Sequence, residues 1–423
     1  MKDKMLDNVK RYNVKKPPMR MHLRWLIGML VTPSNILHRN KLTRVKMDGI
    51  KPPYLLLCNH NAFTDFMVAT KATFPHRVSY VVAIDGFIGL EWIMRVIGCI
   101  CTRKFTSDTN LVRQLNRVVK NGDIAAIYPE ARYSLCGTKA VLPPSIGKLA
   151  KLLKVPVVTL MCNGHHVNSP FWNTGGRGVK PTTATLECIA TAEQVAEMSA
   201  DELYHLIDDS FHYDDFAWQK QNKIRIKHKK RAEGLHKVLY QCPCCGTEYR
   251  MSSHKDILRC DACCKEWEMT EFGELRALNG ETEFSHIPDW YEWERENVRR
   301  EVRAGNYSFE CEARVDHLPN SRGYIDLGMA RLSHNENGFR LTGRYKNEDY
   351  DVEISVPKIY SCHIEYEYKG KGDCIDLNTS NDTLYIYPKN CDFSVTKIAL
   401  ATEELYDYYW ERKNADKTRN EEQ

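Results

Sequence analysis

The sequence predicts an α/β domain on a mostly parallel sheet with flanking helices, then a small cysteine-rich module and a C-terminal β-rich domain. Three observations predict it. Short apolar runs of strand length alternate with helical stretches through the first half, the alternation that builds parallel sheets. Two CxxC pairs lie close together past the middle of the chain. From Tyr307 onward the pattern turns to short strands divided by turn residues.

The composition narrows the function classes. A chain of 423 residues with 43% hydrophobic content can form two or three domains with real cores. A net charge of +5 implies no polyelectrolyte partner overall and argues against nucleic acid. Most of the 16 cysteines are scattered singly through apolar segments, as are Cys58, Cys99, Cys162 and Cys188. Met1-Lys2-Asp3-Lys4 opens no secretory signal, so a reducing, cytoplasmic setting is expected. No stretch approaches the roughly 20 apolar residues of a membrane span. The nearest is Trp25 to Val31, preceded by Lys15, Lys16, Arg20 and Arg24. It suits a helix lying in the membrane interface as well as an ordinary helix packed on the domain.

The elements follow in order. Tyr54-Leu55-Leu56-Leu57-Cys58, after Lys51-Pro52-Pro53, reads as a buried strand. Phe63 to Ala72 reads as a helix, Val78 to Ala83 as a strand and Gly89 to Val96 as a short helix. Leu111, Leu115, Val118 and Val119 give a helix to Lys120 its apolar face, and Asn121-Gly122 ends it. Ile124 to Tyr128 is a third buried strand. Ile146 to Leu153 is a helix, Val155 to Leu160 a strand, and Thr183 to Ala190 another strand. Ser199-Ala200-Asp201-Glu202 is a capping box that opens a helix running beyond Leu206.

Two of these strands stop abruptly at polar residues. The first delivers Asn59-His60-Asn61-Ala62-Phe63-Thr64-Asp65, the third Pro129-Glu130-Ala131-Arg132-Tyr133-Ser134, and a further segment, Gly98 to Arg103, ends in a cation. In open α/β sheets the carboxyl ends of strands are where ligands bind. His60 and Asp65 would not share a face of one ideal helix. They meet if His60 lies on the turn before the helix and Asp65 points back from its first turns. A carboxylate there holds one imidazole nitrogen and frees the other to take a proton from an alcohol. The competing account is a capping Asn, a surface His and an Asp favoured by the helix dipole.

These residues resemble the blocks of a family. Asn59-His60 with Asp65 is similar to the NHxxxxD block of the glycerolipid acyltransferases, the lysophosphatidate acyltransferase group. Gly98 to Arg103, Tyr128-Pro129-Glu130 and Val155-Pro156-Val157-Val158 resemble its second, third and fourth blocks, in the right order, over about residues 20 to 215. The resemblance implies acyl transfer from a thioester, acyl-CoA or acyl carrier protein, to a lysophospholipid hydroxyl, without a catalytic cofactor. It implies His60 as general base and Asp65 as the residue orienting it. Asn59, Arg103, Glu130 and Arg132 are then the substrate-side residues, with Arg103 on acceptor phosphate and Glu130 organising the site. One departure bears on the acceptor. The third block has its Arg two residues after a Gly; here Tyr133 occupies that place and Arg132 sits one earlier. The acceptor stays open between a phosphate-headed lysolipid and one with another head, such as a sugar.

Residues 46–215 are thus expected as the acyltransferase domain, after a membrane-associating region at 1–45. Residues 216–240 are expected as a basic linker, with Lys220, Lys223, Arg225, Lys227, Lys229, Lys230, Arg231 and Lys237 against only Glu233. That run is a solvated face or a contact for anionic lipid or acyl carrier protein. In 241–270, Cys242, Cys245, Cys260 and Cys263 offer four thiolates from two tight turns, a closed tetrahedral set for structural Zn2+ that resembles a zinc ribbon. Cys244 and Cys264 are spare thiols able to exchange with them. Residues 271–306 are a connector with a helix from Pro288 to about Val302. Residues 307–412 are the β-rich domain ending in a helix from Thr402 to about Arg412, in an order resembling pleckstrin-homology domains. Residues 413–423 are a solvated tail.

The expected function is that of a peripheral enzyme on the cytoplasmic face of the membrane, acylating a lysoglycerophospholipid, with 1-acyl-glycerol-3-phosphate as the acceptor the resemblance implies. The rival is a membrane- or nucleic-acid-associated adaptor whose ribbon and β domain bind partners beside a degenerate catalytic domain. A transacylase drawing its acyl chain from another phospholipid is a lesser alternative.

Overall fold

The computed structural model of the chain describes residues 24–106 and 108–421. Lys15, Lys16 and Arg20, expected beside an interfacial helix, lie outside the described residues. The first helix, α1 (Arg24–Leu37), is followed by strand β1 (Lys41–Val45), β2 (Leu55–Cys58), α2 (Thr64–Thr73) and β3 (Val78–Ala83). Then come α3 (Glu91–Val96), β4 (Ile100–Thr102), α4 (Thr109–Lys120), β5 (Ile124–Ile127), α5 (Ile146–Leu153) and β6 (Val157–Asn163). The short α6 (His165–Asn168), β7 (Thr183–Ala190), α7 (Ala192–Glu197), α8 (Ala200–Ser210) and α9 (Asp215–Gln221) complete this part.

Seven strands form one sheet in the order β1-β7-β6-β2-β5-β3-β4. Its centre is parallel, β6 with β2, β2 with β5, β5 with β3 and β3 with β4. The edge departs from this: β7 runs antiparallel to β6, and β1 lies parallel to β7. The central strands are buried from end to end, which is why Leu55 to Cys58 and Ile124 to Ile127 carry no polar residue. The Ser199 capping box forms as expected, and a second one, at Thr191 with Gln194, opens α7. The expected boundary at residue 46 moves upstream, because β1 pairs with β7 as part of the sheet.

The supposed linker is not a solvated tether. Ile226, Ala232, Leu235, Val238, Leu239 and Tyr240 are buried in one continuous core with Phe216, Trp172, Trp267 and Trp290. Four of its cations are in ion pairs: Lys220 with Glu274, Arg225 with Glu271, Arg231 with Asp256, and Lys237 with Asp373. Lys223, Lys227, Lys229 and Lys230 remain exposed. Apolar residues interleaved with the charges bury one side of the segment, which a count of charges alone does not reveal.

The cysteine module is a four-stranded sheet, β8 (Met251–His254), β9 (Ile257–Cys260), β10 (Glu266–Met269) and β11 (Leu275–Ala277). Helix α10 (Ile287–Arg303) then leads to β12 (Phe309–Leu318), β13 (Ile325–Asn335), β14 (Gly338–Tyr345), β15 (Glu348–Ser355), β16 (His363–Glu365), β17 (Cys374–Asn378) and β18 (Thr383–Lys389). These form an antiparallel sheet in the order β15-β14-β13-β12-β18-β17-β16, two meanders joined through β12 and β18. The closing helix, α11 (Val395–Glu421), begins well before the expected Thr402 and continues through the supposed tail. Val395, Ile398, Ala399, Leu400, Ala401 and Leu405 anchor it in the core, and its polar continuation carries no apolar stripe to announce it.

The C-terminal domain is seated on the α/β sheet. Leu318, Cys374, Tyr385 and Tyr387 share one apolar cluster with Tyr54, Leu56 and Tyr80. Ser321, in the turn between β12 and β13, accepts the backbone N–H of Gly89 at 3.1 Å and donates its hydroxyl to Glu91.

Candidate active site

His60, Asp65 and Glu130 meet just past the carboxyl ends of β2 and β5, and they form the candidate site. Asn59 ends β2 and is fully buried, with its side-chain oxygen accepting the Cys162 N–H and its amide donating to the Cys162 carbonyl, both at 2.8 Å. Both of its polar atoms are used to lock β2 to β6. The substrate-side role expected of Asn59 is therefore replaced by an inter-strand one.

His60 follows on the turn before α2 with its side chain 23% exposed, while Asp65 on the first turn of α2 is wholly buried. Their closest atoms, His60 Nδ1 and Asp65 Oδ2, are 3.5 Å apart. The turn lets both point inward, as five residues of continuous helix would not. Asp65 Oδ2 also accepts the N–H groups of Asn61 at 2.6 Å and Ala62 at 2.8 Å. Asp65 Oδ1 is met by a residue not singled out in the sequence, His165, whose Nδ1 is 2.5 Å away and whose side chain is 1% exposed. Burial pushes the Asp65 carboxyl up, but the hydrogen bond from His165 and the His60 imidazole close by outweigh it and leave it at about 2.

Glu130, just past the end of β5, is fully buried and ties its own loop to the His60 turn. One oxygen accepts the His60 N–H at 3.3 Å; the other accepts the Ala140 N–H at 2.9 Å and the Tyr213 hydroxyl at 2.7 Å. Burial carries its carboxyl up to about 7, only partly offset by those donors. Ala131, where the family block has Gly, holds φ +54°. That left-handed backbone costs an L-residue about 1 kcal/mol, so the loop keeps the shape a glycine would favour. Ser134 N–H donates to the His60 carbonyl at 2.8 Å, clasping the loop onto the turn.

Arg103, expected on acceptor phosphate, and Arg132, expected on the substrate side, are both engaged with the C-terminal domain. Arg103 is 5% exposed and its Nη2 donates to the Pro319 carbonyl of the C-terminal domain at 3.1 Å. Arg132 is 4% exposed, 2.7 Å from Glu403 on α11, and donates to the Ser361 hydroxyl at 3.1 Å. Arg295 completes the group at 2.7 Å from Glu403. Tyr133, in the family's Arg position, instead lies on the His60 imidazole with ring centroids 4.2 Å apart, and Tyr128 approaches it at 4.3 Å. The His60 ring thus has an aromatic wall on this side. Beyond the tyrosines, Lys104 sits 3.1 Å from His363 Nε2, 3.5 Å from Asp376 and 3.8 Å from Asp85, so the C-terminal domain walls this end of the sheet.

Cys58, the tempting nucleophile beside His60, is fully buried, and its thiol is raised well above its ordinary value by burial first and by the Asp65 charge second. It is core, as the apolar run implied.

Away from this site, the Sγ atoms of Cys242, Cys245, Cys260 and Cys263 all lie within 4.8 Å of one another. Cys242 to Cys263 is 3.7 Å and Cys245 to Cys260 is 3.8 Å. A tetrahedron with metal–sulfur bonds of about 2.3 Å has edges close to those lengths, so the four thiols fit a structural zinc ion with no open position. Cys244 and Cys264 are exposed and outside the group.

Known proteins give three findings. A family model described as Acyltransferase matches residues 35–163. No curated protein matches the chain. Among solved structures, the 1-acyl-sn-glycerophosphate (LPA) acyltransferase PlsC from Thermotoga maritima is similar over 45% of this chain and 76% of that one, at 16% identity and a TM-score of 0.35.

Proposed function

Since residues 35–163 form a domain of the acyltransferase family, the family whose glycerolipid blocks the sequence carries, we propose that the chain moves a fatty acyl group from acyl-CoA or acyl carrier protein to a free hydroxyl of a lysoglycerophospholipid. The observation that carries this reading is the His60–Asp65 pair: an imidazole open to solvent, 3.5 Å from a buried carboxylate, at a strand end. With Nδ1 turned to Asp65, Nε2 is the base. It takes the proton of the acceptor hydroxyl as that oxygen attacks the thioester carbonyl; the carbon–sulfur bond then breaks, and the departing thiolate takes the proton back. A thioester is already activated, so the step needs no enzyme nucleophile and no catalytic metal.

1-Acyl-glycerol-3-phosphate, giving phosphatidic acid, is the reference acceptor. With Arg103 and Arg132 engaged by the C-terminal domain, the acceptor class is wider than phosphate monoesters. The zinc ribbon is structural in this reading, joining the Cys242–Cys245 turn before β8 to the β9–β10 turn, with Trp267 of β10 against Trp290 of α10.

The enzyme works from the membrane surface. Among the described residues no helix is long and apolar enough to cross a membrane. On α1, however, Met29, Leu30, Ile36 and Leu37 are exposed, as are Phe63 of the catalytic turn and Leu90, Trp92 and Ile93 around α3. Exposed apolar side chains on elements beside the site suit insertion into the lipid interface, here the cytoplasmic face. The reading is tested by incubating the chain with a long-chain acyl thioester and a panel of lysolipids, charged and neutral, on vesicles. Free thiol and diacyl product rising together supports it; no product from any acceptor removes it.

A further inference from the structure

Asp65 is held from two sides that differ in kind. The donors on Oδ2, the N–H groups of Asn61 and Ala62, belong to its own turn and move with it. The 2.5 Å contact between Oδ1 and His165 Nδ1 comes from another part of the sheet, just past the end of β6. We propose that His165 is a positioning residue of the acyl transfer: its imidazole holds the Asp65 carboxylate in the orientation that serves His60. The role rests on the function proposed above.

His165 is itself fixed. Asp215 accepts the N–H groups of Gly164 at 2.9 Å and His166 at 2.7 Å on either side of it. Gly164 has φ +89°, and a Cβ there would meet the Trp218 ring at 2.6 Å, so only glycine lets the chain turn here. At 1% exposure His165 cannot reach a substrate, whereas His60 can. Its action therefore passes through Asp65. The titratable groups facing the pair are Cys58, Cys162, Tyr128, Tyr133, His166, Glu130 and Asp215. Burial raises the thiols of Cys58 and Cys162 and the phenols of Tyr128 and Tyr133, and pushes His166 down to about 3, so these five are neutral near pH 7. Asp65, with Oδ2 3.5 Å from Nδ1, is the carboxylate against the His60 ring, whereas Glu130 meets the His60 backbone N–H; the hydrogen bond from His165 sets how much of the Asp65 charge His60 feels.

The test is the pH profile of kcat and kcat/KM for the full chain, wild type against His165→Leu and His165→Asn. An Asn amide nitrogen overlays the imidazole Nδ1 and can donate to Asp65; Leu cannot. The expected result is a fall of about tenfold or more in kcat for His165→Leu with KM little changed. Its acid limb moves to higher pH, because a carboxylate stripped of one donor makes the His60–Asp65 pair keep its proton longer. His165→Asn restores most of kcat and the wild-type limb. An unmoved acid limb in His165→Leu, or His165→Asn as impaired as His165→Leu, overturns the proposal. Should His165→Leu fail to fold, His165→Gln replaces it, because its amide overlays Nε2 and cannot reach Asp65; the same outcomes decide. Absence of turnover in the wild type is a separate result, which removes the reaction itself and this role with it.

Discussion

The ring of Tyr133 lies 4.2 Å from that of His60, centroid to centroid, in the place where the family's third block puts a cation. The side chain packed on the imidazole at that place is therefore a phenol. Tyr133→Arg should raise kcat/KM for a phosphate-headed lysolipid relative to a neutral-headed one by about tenfold, the scale of one charge-assisted hydrogen bond. Competition between the two acceptors in a single vesicle assay measures the ratio directly.

Arg132 belongs to a buried ion network with Glu403, Ser361 and Arg295. Arg132→Met should cost stability of about 3 kcal/mol while leaving acceptor KM within about twofold, because Glu403 loses a partner it cannot replace from solvent. Denaturant unfolding of the full chain gives the first quantity and initial rates the second. A large rise in KM with unchanged stability would return Arg132 to the substrate.

Glu130 and Asp215 are both carried up to about 7 by burial. A carboxyl whose folded value exceeds its unfolded one binds protons more tightly when folded, so its contribution favours the fold at low pH and is lost as pH rises from about 4 to 7. Asp65, held at about 2, acts in the opposite sense and only below about pH 4. Stability should thus fall between pH 5 and 7 through these two groups, and Glu130→Gln should flatten that slope. Thermal unfolding at several pH values, wild type beside variant, checks it.

The four-thiol cluster should carry one zinc ion per chain, measured by elemental analysis after gel filtration. Cys260→Ser should lower zinc content and thermal stability together. Cys244→Ser and Cys264→Ser should change neither, because both thiols stand outside the cluster.

The sequence made the centre of the molecule legible because apolar runs ending in polar residues have few alternative meanings. Leu55 to Cys58 and Ile124 to Ile127 formed the buried strands, and His60, Asp65 and Glu130 came together at their ends. What the sequence hid was long-range pairing. Arg132 and Arg103 look identical in the sequence whether they face a substrate or, as here, Glu403 and Pro319. His165 stood two residues beyond β6 in Asn163-Gly164-His165-His166, a strand end of the same kind as Asn59-His60. That parallel was the available signal. The reversed edge, β7 and β1, was invisible for a different reason: burial patterns do not record strand direction.

In the proposed reaction His60 is the base of the acyl transfer. That role is tested most directly by single-turnover reaction of wild type and His60→Ala with an acyl thioester and lysolipid on vesicles, following thiol release and diacyl product together. His60→Ala should lose at least about a thousandfold in rate with vesicle binding unchanged. Equal rates in the two proteins would remove His60 from the chemistry, and vesicle binding with no turnover in either would contradict the acyl transfer itself and leave the adaptor reading standing.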